Sequence, residues 1–184
     1  ATNEDDEMRY RDIVSSLSEP FVELFDQVFA DDGFWSMFLT GPSSLNGHHC
    51  GKGGNLQHSI EVAETAARMA CGNRDLFDSD VLVAGALLHD VGKATEYKPR
   101  QTQGWELTDE GRMLGHKVTG SMLVRNALIR VTGIRHEQRI GLLNCLISSN
   151  YGHELRPQQC IEAEFISKAD QISASCDLYR RSAI

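Results

Sequence analysis

The chain has 184 residues, 41% of them hydrophobic and 24% charged, with a formal net charge of −8 at pH 7. That length supports one domain with a substantial core, and no apolar run approaches the length needed to span a bilayer. The acidic balance disfavours broad binding of duplex nucleic acid, which relies on Lys and Arg neutralising phosphates. It leaves room for a small nucleotide or a single-stranded end reaching a local basic pocket. The acidic start, Ala1-Thr2-Asn3-Glu4-Asp5-Asp6-Glu7, lacks the basic and apolar regions of a secretory signal. Five cysteines (Cys50, Cys71, Cys145, Cys160, Cys176) without a C-x-x-C pair predict reduced thiols in a cytoplasmic protein rather than a disulfide framework or zinc ribbon.

Periodicity near 3.6 residues predicts an all-α chain. A first helix is expected over 6–17, with Met8, Ile13, Val14 and Leu17 as its apolar side. Pro20 suits the first turn of a second, ended by Asp31-Asp32-Gly33, and 34–39 reads as a short, very apolar helix. Its Phe34, Trp35, Met37, Phe38 and Leu39 are either core or a homodimer surface. Gly41-Pro42 opens an irregular loop to Gly54, followed by a helix over 56–71 stopped by Gly72. Asp78-Ser79-Asp80 offers caps for a helix over 81–90 that Gly92 terminates. The polar stretch 94–107 predicts a small β-hairpin near 96–107, and Thr108 starts a long helix to about Val131. Helices over 137–149 and 158–181 complete one domain, 1–184, in which N-terminal helices (1–45) pack on a core (46–175).

The segment Ala84-Gly85-Ala86-Leu87-Leu88-His89-Asp90-Val91-Gly92-Lys93 carries the first chemical signal. A helix too apolar to have a solvent face ends in adjacent His and Asp. Burying that pair is costly unless something compensates it. A metal ion ligated by the imidazole and the carboxylate is one solution; a capping Asp beside a His at the helix C-terminus is the other. Gly92 permits a sharp turn, and Lys93 then projects a cation towards the site. His58 stands one turn before Val62 and two before Ala66, on or beside a buried face. It is either a hydrogen-bonded core histidine or a ligand. In the last helix Ile161, Phe165, Ala169, Ile172 and Cys176 read as the apolar stripe, with Asp170 at its edge.

Together these residues resemble the HD-domain metal phosphohydrolase superfamily, whose pattern is H…HD…D on separate helices. His48-His49, Gly53-Gly54-Asn55-Leu56-Gln57-His58-Ser59, Leu88-His89-Asp90-Val91-Gly92-Lys93, Thr108-Asp109-Glu110-Gly111, Leu114-Gly115-His116 and Ala169-Asp170 follow the order of HD-domain 3′→5′ exoribonucleases. The His-His…Gly-Gly-x-Leu-x-His segment is also similar to the HD module of conjugative relaxases. The resemblance implies that His58, His89, Asp90 and Asp170 bind one divalent ion, of manganese, iron, cobalt, nickel or magnesium. It implies catalytic roles for Asp90, Lys93 and His116, and substrate contacts from His49, Lys93, His116 and Lys117. His116 is either a substrate-binding acid/base or a hydrogen-bonding neighbour of the metal ligands. The related exoribonucleases have adjacent histidines where this chain has Asn150 and Tyr151, with His153 just beyond, so a single-metal site is expected. His48 and His49 lie either beside the phosphate or in a solvent-facing loop. Lys98, Arg100 and Arg112 flank the expected mouth, and His136 reads as surface.

The expected activity is hydrolysis of a phosphate ester or diester in a nucleotide or short single-stranded oligonucleotide. The related exoribonucleases carry an additional OB-type domain that this length does not accommodate, which makes nucleotidase the nearest enzyme alternative. A non-catalytic HD module binding a nucleotide or protein partner, or an accessory domain of a DNA-processing system, are the competing classes.

Overall fold

The computed structural model describes residues 3–148 and 156–183. Asn150, Tyr151 and His153, on which the expectation of a single-metal site rests, lie outside the described residues.

The chain order is α1 (Asn3–Ser15), α2 (Glu19–Val28), α3 (Asp32–Thr40), α4 (Gly54–Ala70), α5 (Ser79–Leu88), α6 (Lys93–Glu96), β1 (Tyr97–Pro99), β2 (Trp105–Leu107), α7 (Asp109–Met113), α8 (His116–Arg130), α9 (His136–Ile147) and α10 (Ile161–Ser182). A 3₁₀ turn, Arg74–Leu76, links α4 to α5. The two strands pair antiparallel as the expected hairpin, Tyr97 opposite Leu107 and Pro99 opposite Trp105.

Side-chain caps set several helix starts. Asp78 Oδ1 accepts from Val81 N at 3.1 Å and Thr108 Oγ1 from Gly111 N at 2.9 Å. Asp31 Oδ1 accepts from Phe34 N at 2.7 Å, so Asp31 begins α3 rather than merely ending α2. The long helix expected after Thr108 is two helices. Gly115 adopts φ +74° between them, a conformation that helical L-residues do not share, and α8 starts afresh at His116.

α5 is the central rod. Val81, Leu82 and everything from Ala84 to Leu88 are buried, and the helix packs against α4, α9 and α10. At the N-terminal end Tyr10, Phe29, Trp35 and Phe38 form an aromatic cluster, with Phe29 4.9 Å from both Trp35 and Phe38 between ring centroids. Phe38 is fully buried, and Phe34, Trp35, Met37 and Leu39 pack against the same core. The apolar side of α1 is corrected in part, because Met8 is exposed and Tyr10 takes the buried position. The stripe on α10 also shifts. Ile161, Ile172 and Cys176 are exposed, and the buried face carries Glu162, Ala163, Ile166, Ala169 and Ser173. Among the described residues no helix is long and apolar enough to cross a membrane.

Candidate metal centre

Three helix regions bring the H…HD…D residues together. α4 supplies His58, the end of α5 supplies His89 and Asp90, and the middle of α10 supplies Asp170. The donor atoms of His58, His89 and Asp90 lie within 4.8 Å of one another. Asp90 Oδ2 is 3.3 Å from His89 Nε2 and 3.6 Å from His58 Nε2, and Asp170 Oδ1 is 3.1 Å from His58 Nε2. Ligands at 90° around a six-coordinate ion with bonds near 2.1 Å are separated by about 3 Å. His58, His89 and Asp90 are buried, whereas the Asp170 side chain is 37% exposed and marks the open edge.

The His89 proton is in the wrong place for its contact with Asp90 to be a hydrogen bond. His89 Nδ1 lies 2.8 Å from the Ala86 carbonyl, which only accepts, so Nδ1 carries the proton and Nε2 presents a lone pair. Among the described residues, His58 Nε2 and His89 Nε2 are buried with no hydrogen-bond partner. Two bare imidazole nitrogens facing two carboxylates form a cluster of acceptors that Lys93, bonded to Asp90 Oδ2, compensates only in part. A divalent cation satisfies all of them, and mixed nitrogen and oxygen donors suit the middle of the first transition series. The residues present therefore fit such an ion.

Electrostatics point the same way. Burial pulls the His58 imidazole down to about 4, leaving it neutral and ligand-ready at pH 7. Burial alone would raise Asp90, but His89, Lys93 and His116 outweigh it and hold the carboxyl well below its ordinary value. Asp170 is likewise opposed by burial, yet contact with His58 and His89 lowers it to about 2. The signs predict an acid-labile apo-protein. An imidazole depressed in the folded state takes its proton first in the unfolded chain, so stability falls as pH drops from 6.5 towards 4. His58 alone accounts for about 3 kcal/mol of that loss. Urea unfolding of chelator-treated protein at pH 7 and pH 4.5 measures it; equal midpoints would contradict the buried neutral imidazole.

A pocket of about 260 Å³ opens on the cluster, lined by His89, Asp90 and Asp170. Lys93, His116, Lys117 and His48 complete its polar wall. Lys93 Nζ donates to Asp90 Oδ2 at 2.5 Å and to Ser43 Oγ at 3.1 Å, leaving one of its three N–H directions for a ligand. His116 Nδ1 is 2.9 Å from Glu96 Oε2, and its Nε2 is 3.3 Å from Asp90 Oδ1. Burial opposes protonation of His116, but those two carboxylates prevail and raise its pKa. Lys117 Nζ donates to the Leu146 carbonyl at 3.3 Å.

Gly92 acts here through its size. Its φ of −65° is ordinary, so it makes no special turn. A Cβ at this position would stand 2.1 Å from the His116 carbonyl oxygen and 2.7 Å from Gly120 N. The missing side chain lets the end of the His-Asp segment press against the start of α8, which sets His116 beside Asp90.

The structure corrects the expectation for His49. Its side chain is 1% exposed and turned away from the pocket, with Nε2 3.2 Å from Ser173 Oγ and 3.4 Å from Glu61 Oε2. The pocket-facing member of the pair is His48, whose Nδ1 has no partner among the described residues. Glu61, Glu96 and Ser173 were not singled out from sequence, since isolated Glu and Ser in helices carry no motif. Lys98 and Arg100 instead pair with Glu106 on the hairpin, Arg112 pairs with Asp109, and His136 is exposed.

The HD-domain family model matches residues 55–175, more than half of the chain. Among curated relatives, the chain is 30% identical over 151 residues to the 3′-5′ exoribonuclease YhaM of Halalkalibacterium halodurans, covering 79% of this chain and 45% of the relative. It is 27% identical over 153 residues to YhaM of Bacillus subtilis, covering 79% and 46%. It is 38% identical over 60 residues to the dihydroneopterin 2′,3′-cyclic phosphate phosphodiesterase of Methanocaldococcus jannaschii, covering 30% and 24%. The chain thus spans less than half the length of these relatives. No solved structure gives a significant match. With the H…HD…D residues gathered at one pocket and a family match across α4 to α10, the chain belongs to the HD-domain family.

Proposed function

We propose that the protein is a metal-dependent phosphohydrolase acting on a phosphate ester or diester of a nucleotide or short oligonucleotide. The observation that carries this reading is the pair of buried imidazole nitrogens, His58 Nε2 and His89 Nε2, that have no hydrogen-bond partner among the described residues and face Asp90 and Asp170. His58, His89, Asp90 and Asp170 would hold one divalent ion, with residues 1–45 packed on a metal-binding core spanning 46–175 in one domain. Such an ion supplies Lewis acidity at the phosphoryl oxygen and lowers the pKa of an attacking water.

The chain's own residues do the rest. Lys93 and Lys117 balance negative charge on the phosphate, and Lys93 is already oriented by Asp90 and Ser43. His116 would hold a proton at Nε2, with Glu96 fixing the ring through Nδ1, and would deliver it to the departing oxygen. A proton donor with a raised pKa works below that pKa. Activity should therefore fall as pH rises through the His116 value, which the two carboxylates set above that of an ordinary imidazole. His116→Gln should remove that alkaline limb and cost about 10²-fold in kcat. A pH–rate profile unchanged in this variant would place the proton elsewhere.

The relatives' names speak of 3′-5′ cleavage of RNA and of dihydroneopterin 2′,3′-cyclic phosphate, both phosphodiesters. Protein stripped with chelator and reloaded with manganese, assayed on a 2′,3′-cyclic nucleotide, a short single-stranded RNA and a mononucleotide, tests the proposal. Turnover that depends on added metal supports it. Absence of turnover on all three by metal-loaded, folded protein would favour a binding module.

A further inference from the structure

We infer that Ser173 is a positioning residue for His58, fixing which ring nitrogen carries the proton. The inference builds on the reading of His58 as a metal ligand, because only the Nδ1–H form leaves Nε2 free to bind an ion.

Ser173 is 2% exposed on the buried face of α10, with Oγ at the centre of three polar groups. It donates to Glu61 Oε2 at 2.8 Å, while His58 Nδ1 lies 3.1 Å away and His49 Nε2 3.2 Å away. A hydroxyl has one proton and two lone pairs, and an ionised carboxylate only accepts. Glu61 is ionised, lowered to about 2 despite burial by His49, Ser173 and Arg180. The single proton of Ser173 is therefore committed to Glu61. Both imidazole nitrogens must then be donors, and His58 carries its proton on Nδ1.

The surroundings hold this order in place. Arg180 donates to Glu61 Oε1 at 3.1 Å. The backbone N–H of His49 donates to Asp177 Oδ2 at 2.7 Å, and its own backbone sits at φ +46°, which a histidine keeps only when its neighbours impose it. Arg181 bonds both Asp177 and the Gly47 carbonyl, so the last turns of α10 clasp the loop that presents His49. The opposing influence is also visible. Asp90 and Asp170 lie 3.6 and 3.1 Å from His58 Nε2 and attract a proton there. Among the described residues, Ser173 is the hydrogen-bond partner of Nδ1, and without it nothing holds the proton on that side.

The test reads the tautomer directly, in metal-free protein. Long-range ¹H–¹⁵N spectra of the imidazoles at pH 7.5, with the His58 signal identified by its absence in His58→Gln, should show Nδ1–H in the wild type. In Ser173→Ala the proton should move towards Nε2, and Ser173→Thr should return it. Manganese affinity should fall about 10- to 100-fold in Ser173→Ala and recover in Ser173→Thr. A wild-type His58 protonated on Nε2 would overturn the inference, and that reading does not need the Ser173 variants to fold. So would an Ala variant keeping both Nδ1–H and wild-type affinity. The predicted tautomers in a protein that binds no metal would uphold the positioning role and overturn the metal reading instead.

Discussion

Asp90→Ala is expected to lose bound metal and phosphate-ester hydrolysis together, with kcat/KM down by about 10³-fold or more, the scale of a centrally placed charge at a reacting phosphate. Asp90 is the hub of the cluster: His58, His89, Lys93 and His116 all lie within 3.6 Å of one of its oxygens. Removing it also leaves the buried Lys93 ammonium with Ser43 as its remaining partner, a loss on the order of 3 kcal/mol. Asp90→Asn keeps the volume and separates the two effects: folding should recover more than metal content does. Elemental mass spectrometry beside a denaturation curve checks both, and unchanged metal content in the Ala variant would refute the ligand assignment.

Gly92→Ala is expected to damage stability and the site at once. The added carbon meets backbone atoms, the His116 carbonyl oxygen and Gly120 N, which cannot rotate away as a side chain could. The cost should reach about 3 kcal/mol, the upper end for overpacking. In a domain of this size that lowers Tm by about 6–12 °C. Relief of the clash must push α8 away from Asp90, so the variant should lose activity even at temperatures where it is folded. A Gly92→Ala protein with unaltered Tm would show that this close approach is not made.

The parts that sequence made readable are those where one strong requirement dominates. An all-apolar helix running into His89-Asp90 can only be central and can only end at something polar, and α5 does both. The hairpin over 97–107 follows from turn residues between short β-prone ends. What escaped reading is local direction. The buried face of α10 includes Glu162 and Ser173, polar residues made tolerable by tertiary partners; Glu162 Oε1, for instance, accepts from Asp78 N at 2.8 Å. An apolar count along the helix selected the exposed Ile161, Ile172 and Cys176 instead. His48 and His49 are adjacent in an irregular loop, where no period tells which ring turns inward, so His49 was assigned the role its neighbour's position fits better. The break at Gly115 depends on its positive φ, which a glycine permits but does not announce.

The central claim is that His58, His89, Asp90 and Asp170 form a site for one divalent ion. Equilibrium titration of chelator-treated protein with manganese, read by the paramagnetic signal of the free ion, tests it most directly. About one ion should bind per chain in the wild type and none in the Asp90→Ala variant at the same concentrations. No binding by folded wild-type protein, or equal binding by both proteins, would contradict it.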